Sequence, residues 1–242
     1  MNKPAPTSVI KSSPAILVNK NGLQNITDTV ACERSYDFFL NRQMAARVNV
    51  SPEDLEYYAV GWVVSNGFLM YEDIVEIEIS EREISVYSAS GKSVSGGPRS
   101  EVKPVSSSLK IKAEVVLSSS RDLHLWGENW KKTGGFHIAL LFNEEGIIWK
   151  TEDIGRHNAV DKVIGFALRS GIRLSECFLV CSGRQPENMI AKAGRAGIPV
   201  IISRASTTDK GIRLAERVGI TLIGFAREDR FTIYSHPERI ES

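Results

Sequence analysis

The sequence predicts an α/β protein: a three-layer αβα sheet, made of a hairpin followed by parallel strands, joined to a smaller N-terminal α+β part. Three observations predict it. After residue 117, short apolar runs alternate with stretches of helical period, which is the pattern of strand–helix–strand units and a largely parallel sheet covered by helices. Before residue 117, the runs alternate polar and apolar with period two around a single helical segment. The 242 residues, 42% of them hydrophobic, suffice for one large core or two small ones.

In chain order, MNKPAPTSVIKSSPAILVNKNG has no continuous apolar region, and residues 1–26 are expected to be a mobile tail. SYDFFLNRQMAARVNV reads as a hairpin turning near Asn41. Ser51-Pro52-Glu53-Asp54 offers an N-cap, a proline at the first helical position and acids in the first turn, so a helix through LEYYAVGWVVSN should end at Gly67. DIVEIEI and REISVYS are two half-buried strands. Residues 88–108 are rich in Ser, Gly and Pro with no apolar period, a long functional or disordered loop. Within it, residues 90–104 should be mobile without a partner. Residues 27–117 thus form the α+β part and 118–242 the αβα domain.

In the second half, RDLHLWGENWKK predicts one helix. FHIALLF, the turn NEEG and IIWKTED predict an antiparallel hairpin. The helix that follows has Val160, Val163, Ile164, Ala167 and Leu168 on one face. Asn158 fits its N-cap, Asp161 the third position, Lys162 a solvated face and Gly171 the stop. CFLVCS, PVIIS and ITLIGFA are then strands, separated by the helices ENMIAKAGRAG and DKGIRLAERVG, and FTIYS is the last strand.

Charge excludes some functions. Thirty Lys and Arg balance 29 Asp and Glu, for a net charge of +1, so no broad attraction to nucleic acid or acidic membranes is expected. No stretch approaches the length of a membrane span, and a soluble cytoplasmic protein is expected. Cys32, Cys177 and Cys181 form neither a disulfide framework nor a CxxC pair. Cys177 and Cys181 fall on one face of a buried strand and read as packing residues.

One arrangement is not explained by packing. Arg156 and His157 precede a helix start, where the backbone already carries positive partial charge. The strands predicted to be parallel run into Ser182-Gly183-Arg184, Ser203-Arg204 and Phe225-Ala226-Arg227-Glu228-Asp229-Arg230. In an open α/β sheet these carboxyl ends share one edge, where ligands bind. Arginines and small hydroxylated residues there suit phosphate oxygens. The expected ligand is phosphorylated or nucleotide-like, with Arg156, His157, Asn158, Ser182, Arg184, Ser203, Arg204 and Phe225 through Arg230 as its candidate residues.

TGGFHIALLF, EDIGRHNAVDKVIG, SGR, AGIPVIIS, GFAREDR and the terminal YSHPERI resemble the FdhD family of formate dehydrogenase accessory proteins. ERSYDFFLN and SPEDLEYYAVGWVVSNGFL extend the resemblance from about residue 30 to the end. It implies a cytidine-deaminase-like fold, and sulfur relay in the cytoplasm from a cysteine desulfurase to bis-molybdopterin guanine dinucleotide for the formate dehydrogenase apoenzyme. It also implies binding of that cofactor, or of GDP as its mimic, by groups including Phe225–Arg230. A homodimer is expected. The family's CxxC element is missing from the matching loop, SASGKSVSGGPRSE, and Ser93, Ser95 or Ser100 cannot carry a persulfide. The resemblance therefore supports the cofactor site more than the transfer step, and no persulfide is expected on this chain. A nucleotide-binding interaction module without sulfur transfer is the alternative. A zinc deaminase is not expected, because His157-Asn158-Ala159 lacks the glutamate and CSGRQPEN lacks the paired cysteines. His137 reads as a hydrogen-bonded core residue.

Overall fold

The computed structural model describes residues 8–91 and 101–242. The chain begins with an antiparallel ribbon of β1 (Ile10–Asn19) and β2 (Gly22–Ala31), where a tail to residue 26 was expected. The local signal is the Asn19 side chain, which accepts from the Asn21 amide at 2.8 Å and bends the chain ahead of Gly22.

β3 (Arg34–Leu40), β4 (Gln43–Val50), β5 (Ile74–Ile79) and β6 (Glu83–Ser88) form a four-stranded sheet in the order β4-β3-β6-β5. Helix α1 (Leu55–Ser65) covers it, packing Tyr58, Ala59 and Val63 against Phe38, Ile84 and Val86. The helix ends at Gly67 as expected, with Phe68 N–H closing on Val63 O at 3.0 Å. Its start differs. Asp54 sits in the left-handed region (φ 55°) and the helix begins at Leu55. Ser51 is drawn away from any capping role, because its amide donates to Asp153 Oδ2 (3.1 Å) and its Oγ accepts from Ile154 N–H (3.2 Å).

Residues 92–100 of the long loop lie outside the described residues. Beyond them the chain is packed rather than loose: Val102 and Val105 are buried in the main core, and Val105 N–H donates to Val218 O at 2.7 Å. This corrects the expectation of mobility for residues 101–104. The helix read from RDLHLWGENWKK is really several pieces. After β7 (Ile111–Lys112) come α2 (Ala113–Arg121), a 3-10 turn (Asp122–Trp126) and α3 (Glu128–Thr133). The pieces part at Gly127, whose backbone leaves the helical region (φ −90°, ψ 84°) and where a Cβ would lie 2.4 Å from Ile138 Cδ1 in the sheet below.

The second sheet contains β8 (His137–Asn143), β9 (Gly146–Asp153), β10 (Phe178–Cys181), β11 (Val200–Ser203), β12 (Thr221–Gly224) and β13 (Thr232–Ser235). Their order is β13-β12-β11-β10-β8-β9, with β10, β11 and β12 parallel. Helices α4 (Arg156–Arg169), α5 (Glu187–Ala196) and α6 (Asp209–Val218) cross between successive strands. All three lie on one face, as right-handed crossovers stepping in one direction require. Period two divides the strands: Leu179, Ile201 and Leu222 meet these helices, while Val180, Ile202 and Ile223 meet Val116 and Leu123 on the other face. A short strand β14 (Ile240–Glu241) pairs with β7. Among the described residues, no helix is long and apolar enough to cross a membrane.

The segment EDIGRHNAVDKVIG is not a solvated shoulder. Lys162 lies 2.7 Å from Asp153 Oδ2, and both side chains are fully buried. Asp161, expected near the helix start as a capping acid, is buried too. It receives Lys192 Nζ at 2.8 Å and the Ser65 hydroxyl at 2.6 Å. The reason is α1, which lies across α4 at two glycines. A Cβ on Gly61 would stand 1.7 Å from Asp161 O, and one on Gly165 would stand 1.8 Å from Tyr57 O.

Candidate anion-binding site

The carboxyl ends of β10, β11 and β12 are stitched into one edge. Ser203 Oγ donates to Gly183 O (2.7 Å), Ala226 N–H to Ser203 O (3.0 Å), Phe225 N–H to Ala205 O (3.0 Å) and Arg204 N–H to Cys181 O (3.2 Å). Two groups of basic side chains stand on this edge.

The first group gathers where α4 begins. Arg156 is its first residue, and the aliphatic stem lies against Gly183, where a Cβ would come within 2.6 Å of Arg156 Cβ. Burial, and then the Arg184 charge, disfavour the ionised guanidinium, yet its buried Nε has no partner. His157 bonds to Asn188, its Nε2 is buried without a partner, and burial is the first cause holding its pKa below the usual histidine range. His137 Nδ1 lies 3.1 Å from Ser182 Oγ. Burial, then Arg156, lowers the His137 pKa.

The second group faces α2 and the 3-10 turn. Arg204 donates to Ser120 O at 2.9 Å, and Arg227 donates to Arg204 O and Ala226 O. His124 stacks on Trp130 with ring centroids 4.2 Å apart, and its buried Nδ1 has no partner. Its pKa is lowered by burial and then by Arg204 and Arg227. Beside them Phe225 is held at φ 50° with 44% of its surface exposed. Glu228, Asp229 and Arg230 are exposed, and Arg227 N–H closes their turn onto Arg230 O at 2.8 Å.

Among the described residues, no carboxylate lies within 4.0 Å of Arg156, Arg184, Arg204 or Arg227. Arg156, Arg204 and Arg227 are half-buried and Arg184 is exposed; half-buried cations without counter-ions, together with partnerless nitrogens, are costly unless an anion joins them. The bare arrangement is thus a candidate place for an anion. Three candidate residues turn inward instead. Asn158 does not cap α4, whose N-cap is Gly155; its amide donates to Asp153 Oδ1 and Asn49 O, both at 2.8 Å. Ser203 is fully buried as a staple between loops, and Ala226 is core. His124, His137 and Asp153 were missed. His137 reaches the edge only because β8 runs antiparallel to β10, a pairing that residue spacing does not reveal.

Residues 88–241 match the model of the FdhD/NarQ family. The chain belongs to the FdhD/NarQ family. Its similarity to the sulfur carrier protein FdhD of Methanothermobacter thermautotrophicus is 39% identity over 217 residues, 83% of this chain and 87% of that protein. Protein FdhD of Methanocaldococcus jannaschii is 36% identical over 220 residues, 90% of this chain and 92% of that protein. The crystal structure of a candidate formate dehydrogenase accessory protein from Desulfotalea psychrophila superposes with a TM-score of 0.87 at 29% identity, covering 97% of this chain and 100% of that one. The mixed α/β fold is therefore that of a solved FdhD/NarQ relative.

The cysteines of this FdhD/NarQ member bear on sulfur chemistry. Cys177 and Cys181 are only 1% and 3% exposed, and burial pushes their thiols up to about 11 and about 12. At pH 8 neither holds a useful fraction of nucleophilic thiolate. Iodoacetamide at pH 8 should therefore add rapidly to the partly exposed Cys32 alone, and to all three after unfolding. Intact mass reads this directly, and rapid double labelling of the folded chain would contradict it. Among the described residues there is no group of three or more His, Cys, Asp or Glu that could hold a metal ion.

Proposed function

We propose that this FdhD/NarQ member binds a molybdenum cofactor of the bis-molybdopterin guanine dinucleotide type along the strand-end edge. It presents that cofactor to a formate dehydrogenase apoenzyme, in the cytoplasm, in company with a cysteine desulfurase. The observation that carries the reading is the row of Arg156, Arg184, Arg204 and Arg227 without carboxylate partners. The start of α4 adds backbone N–H groups and a positive dipole end for phosphate. Phe225 offers an exposed ring for a base, and Glu228 or Asp229 can accept from guanine N1 and N2, which adenine cannot supply. The bound cofactor would bring the molybdenum centre; the chain's own residues hold and orient its phosphates and bases. Relatives are named sulfur carriers, but here the sulfur is read as arriving on another protein's thiol. A cytidine-deaminase-like layering belongs to the same reading; its support is a hairpin followed by parallel strands, with helices on both faces.

Calorimetric titration of GDP against ADP tests the site. GDP should bind at least tenfold tighter, and affinity should fall as salt rises. Arg156→Ala and Arg227→Ala should each cost about 1.5–3 kcal/mol, the range for hydrogen bonds to charged groups. Equal binding of GDP and ADP, or indifference to both substitutions, would remove the assignment.

A further inference from the structure

His137 and Ser182 meet across the β8–β10 pairing, beside Arg156. Ser182 N–H donates to Ile138 O and Ser182 Oγ accepts from Ile138 N–H, both at 3.0 Å, so the backbone fixes the hydroxyl oxygen. That hydroxyl has one proton to give. Among the described residues its only acceptor is His137 Nδ1, at 3.1 Å. With that proton given to Nδ1, the neutral ring carries its own proton on Nε2. Nε2 has no partner among the described residues and is not sealed in the interior. The groups acting on this ring are Arg156 and His157 from α4 and Asp153 from β9. Asp153 is already engaged by Lys162, Ser51, Gly155 and Asn158, so it acts on the ring only through its field and is not free to pair with it.

We propose that His137 is a proton-coupled ligand for the phosphate group bound at this edge, an inference that rests on the anion-site reading above. In its neutral form it offers Nε2–H to one phosphate oxygen. When solvent supplies a proton to Nδ1, the Ser182 hydroxyl turns to accept from it, and the ring becomes a cation against the phosphate. No covalent bond is made or broken beyond that N–H.

The sign follows from linkage. The free ring is held neutral by burial and by Arg156. A bound anion offsets the arginine charge, so the pKa of the complex lies above that of the free protein. Affinity is then flat at high pH, rises as pH falls through the pKa of the complex, and levels off below the pKa of the free protein. One unit of separation between the two corresponds to about tenfold in affinity.

GDP is titrated into wild type, His137→Gln and His157→Gln at pH 5.5, 6.5, 7.5 and 8.5. Protonation of GDP itself is common to all three proteins and cancels in their ratio. The wild-type to His137→Gln affinity ratio should grow about tenfold from pH 8.5 to 5.5, while His157→Gln keeps the wild-type slope. A ratio that stays constant with pH, or a slope lost in His157→Gln instead, overturns the role of His137 but leaves the anion site standing. No GDP binding by wild type at any pH removes the site and the inference together. As a readout independent of variant folding, the His137 ring resonance in wild type should titrate at higher pH with GDP than without; an unmoved midpoint also overturns the proposal.

Discussion

Lys162→Ala should destabilise the fold by about 3–5 kcal/mol, the cost of leaving one partner of a buried ion pair unmatched. Asp153 would be left in the interior without its cation, since both side chains of the pair are fully buried. It would still accept from the Ser51 and Gly155 amides and from Asn158, but three neutral donors do not replace an ammonium group at 2.7 Å. Lys162→Met separates charge from volume. It refills most of the space, so if packing were the main contribution it would restore stability. It should instead remain nearly as costly as alanine. Urea denaturation of the three proteins decides the point, and a methionine variant as stable as wild type would show that the pair contributes nothing net.

Gly165→Ala should lose about 3 kcal/mol, and here the direction is the informative part. Helix propensity alone favours alanine over glycine inside a helix by roughly 1 kcal/mol. The new methyl, however, would stand 1.8 Å from Tyr57 O and 2.9 Å from Gly61 N, which are backbone atoms of α1. A side chain could rotate away; a packed helix cannot, and overpacking of a core costs about 1–3 kcal/mol or more. Thermal unfolding of the variant should show a lower midpoint. A raised midpoint would mean that α1 and α4 are not so closely applied.

These two positions also mark where the sequence stopped being legible. Period and turn chemistry located β8 through β13 and helices α4, α5 and α6, because each of those elements keeps one face on a single sheet. The arginines were legible for a related reason: they follow strands whose direction the alternation had set. Helix α4 misled because it has two buried faces. Asp161 and Lys162 occupy what looks like its polar stripe, but α1 comes from a hundred residues upstream and covers them. The capping role given to Asn158 failed from the same cause, as Asp153 and Asn49 O compete for its amide. His137 and His124 enter the site through strand pairing and ring stacking, which no local pattern encodes.

The meeting of α1 with α4 bears on how the protein is made. Ser51 and Asp153 are 102 residues apart in the chain, and Ser51 and Lys162 are 111 apart. During synthesis the N-terminal sheet leaves the ribosome first, since domains emerge from the N-terminus at about 5–20 residues per second. On that schedule α1 waits roughly 5–20 seconds with Gly61 and Ser65 facing water before α4 is available to cover them. The strand-end edge cannot be assembled earlier than this closure, because Arg156 and His157 sit on the same helix that α1 must grip. A nascent chain arrested before residue 170 would therefore present a bare α1 to chaperones and an unfinished strand-end edge.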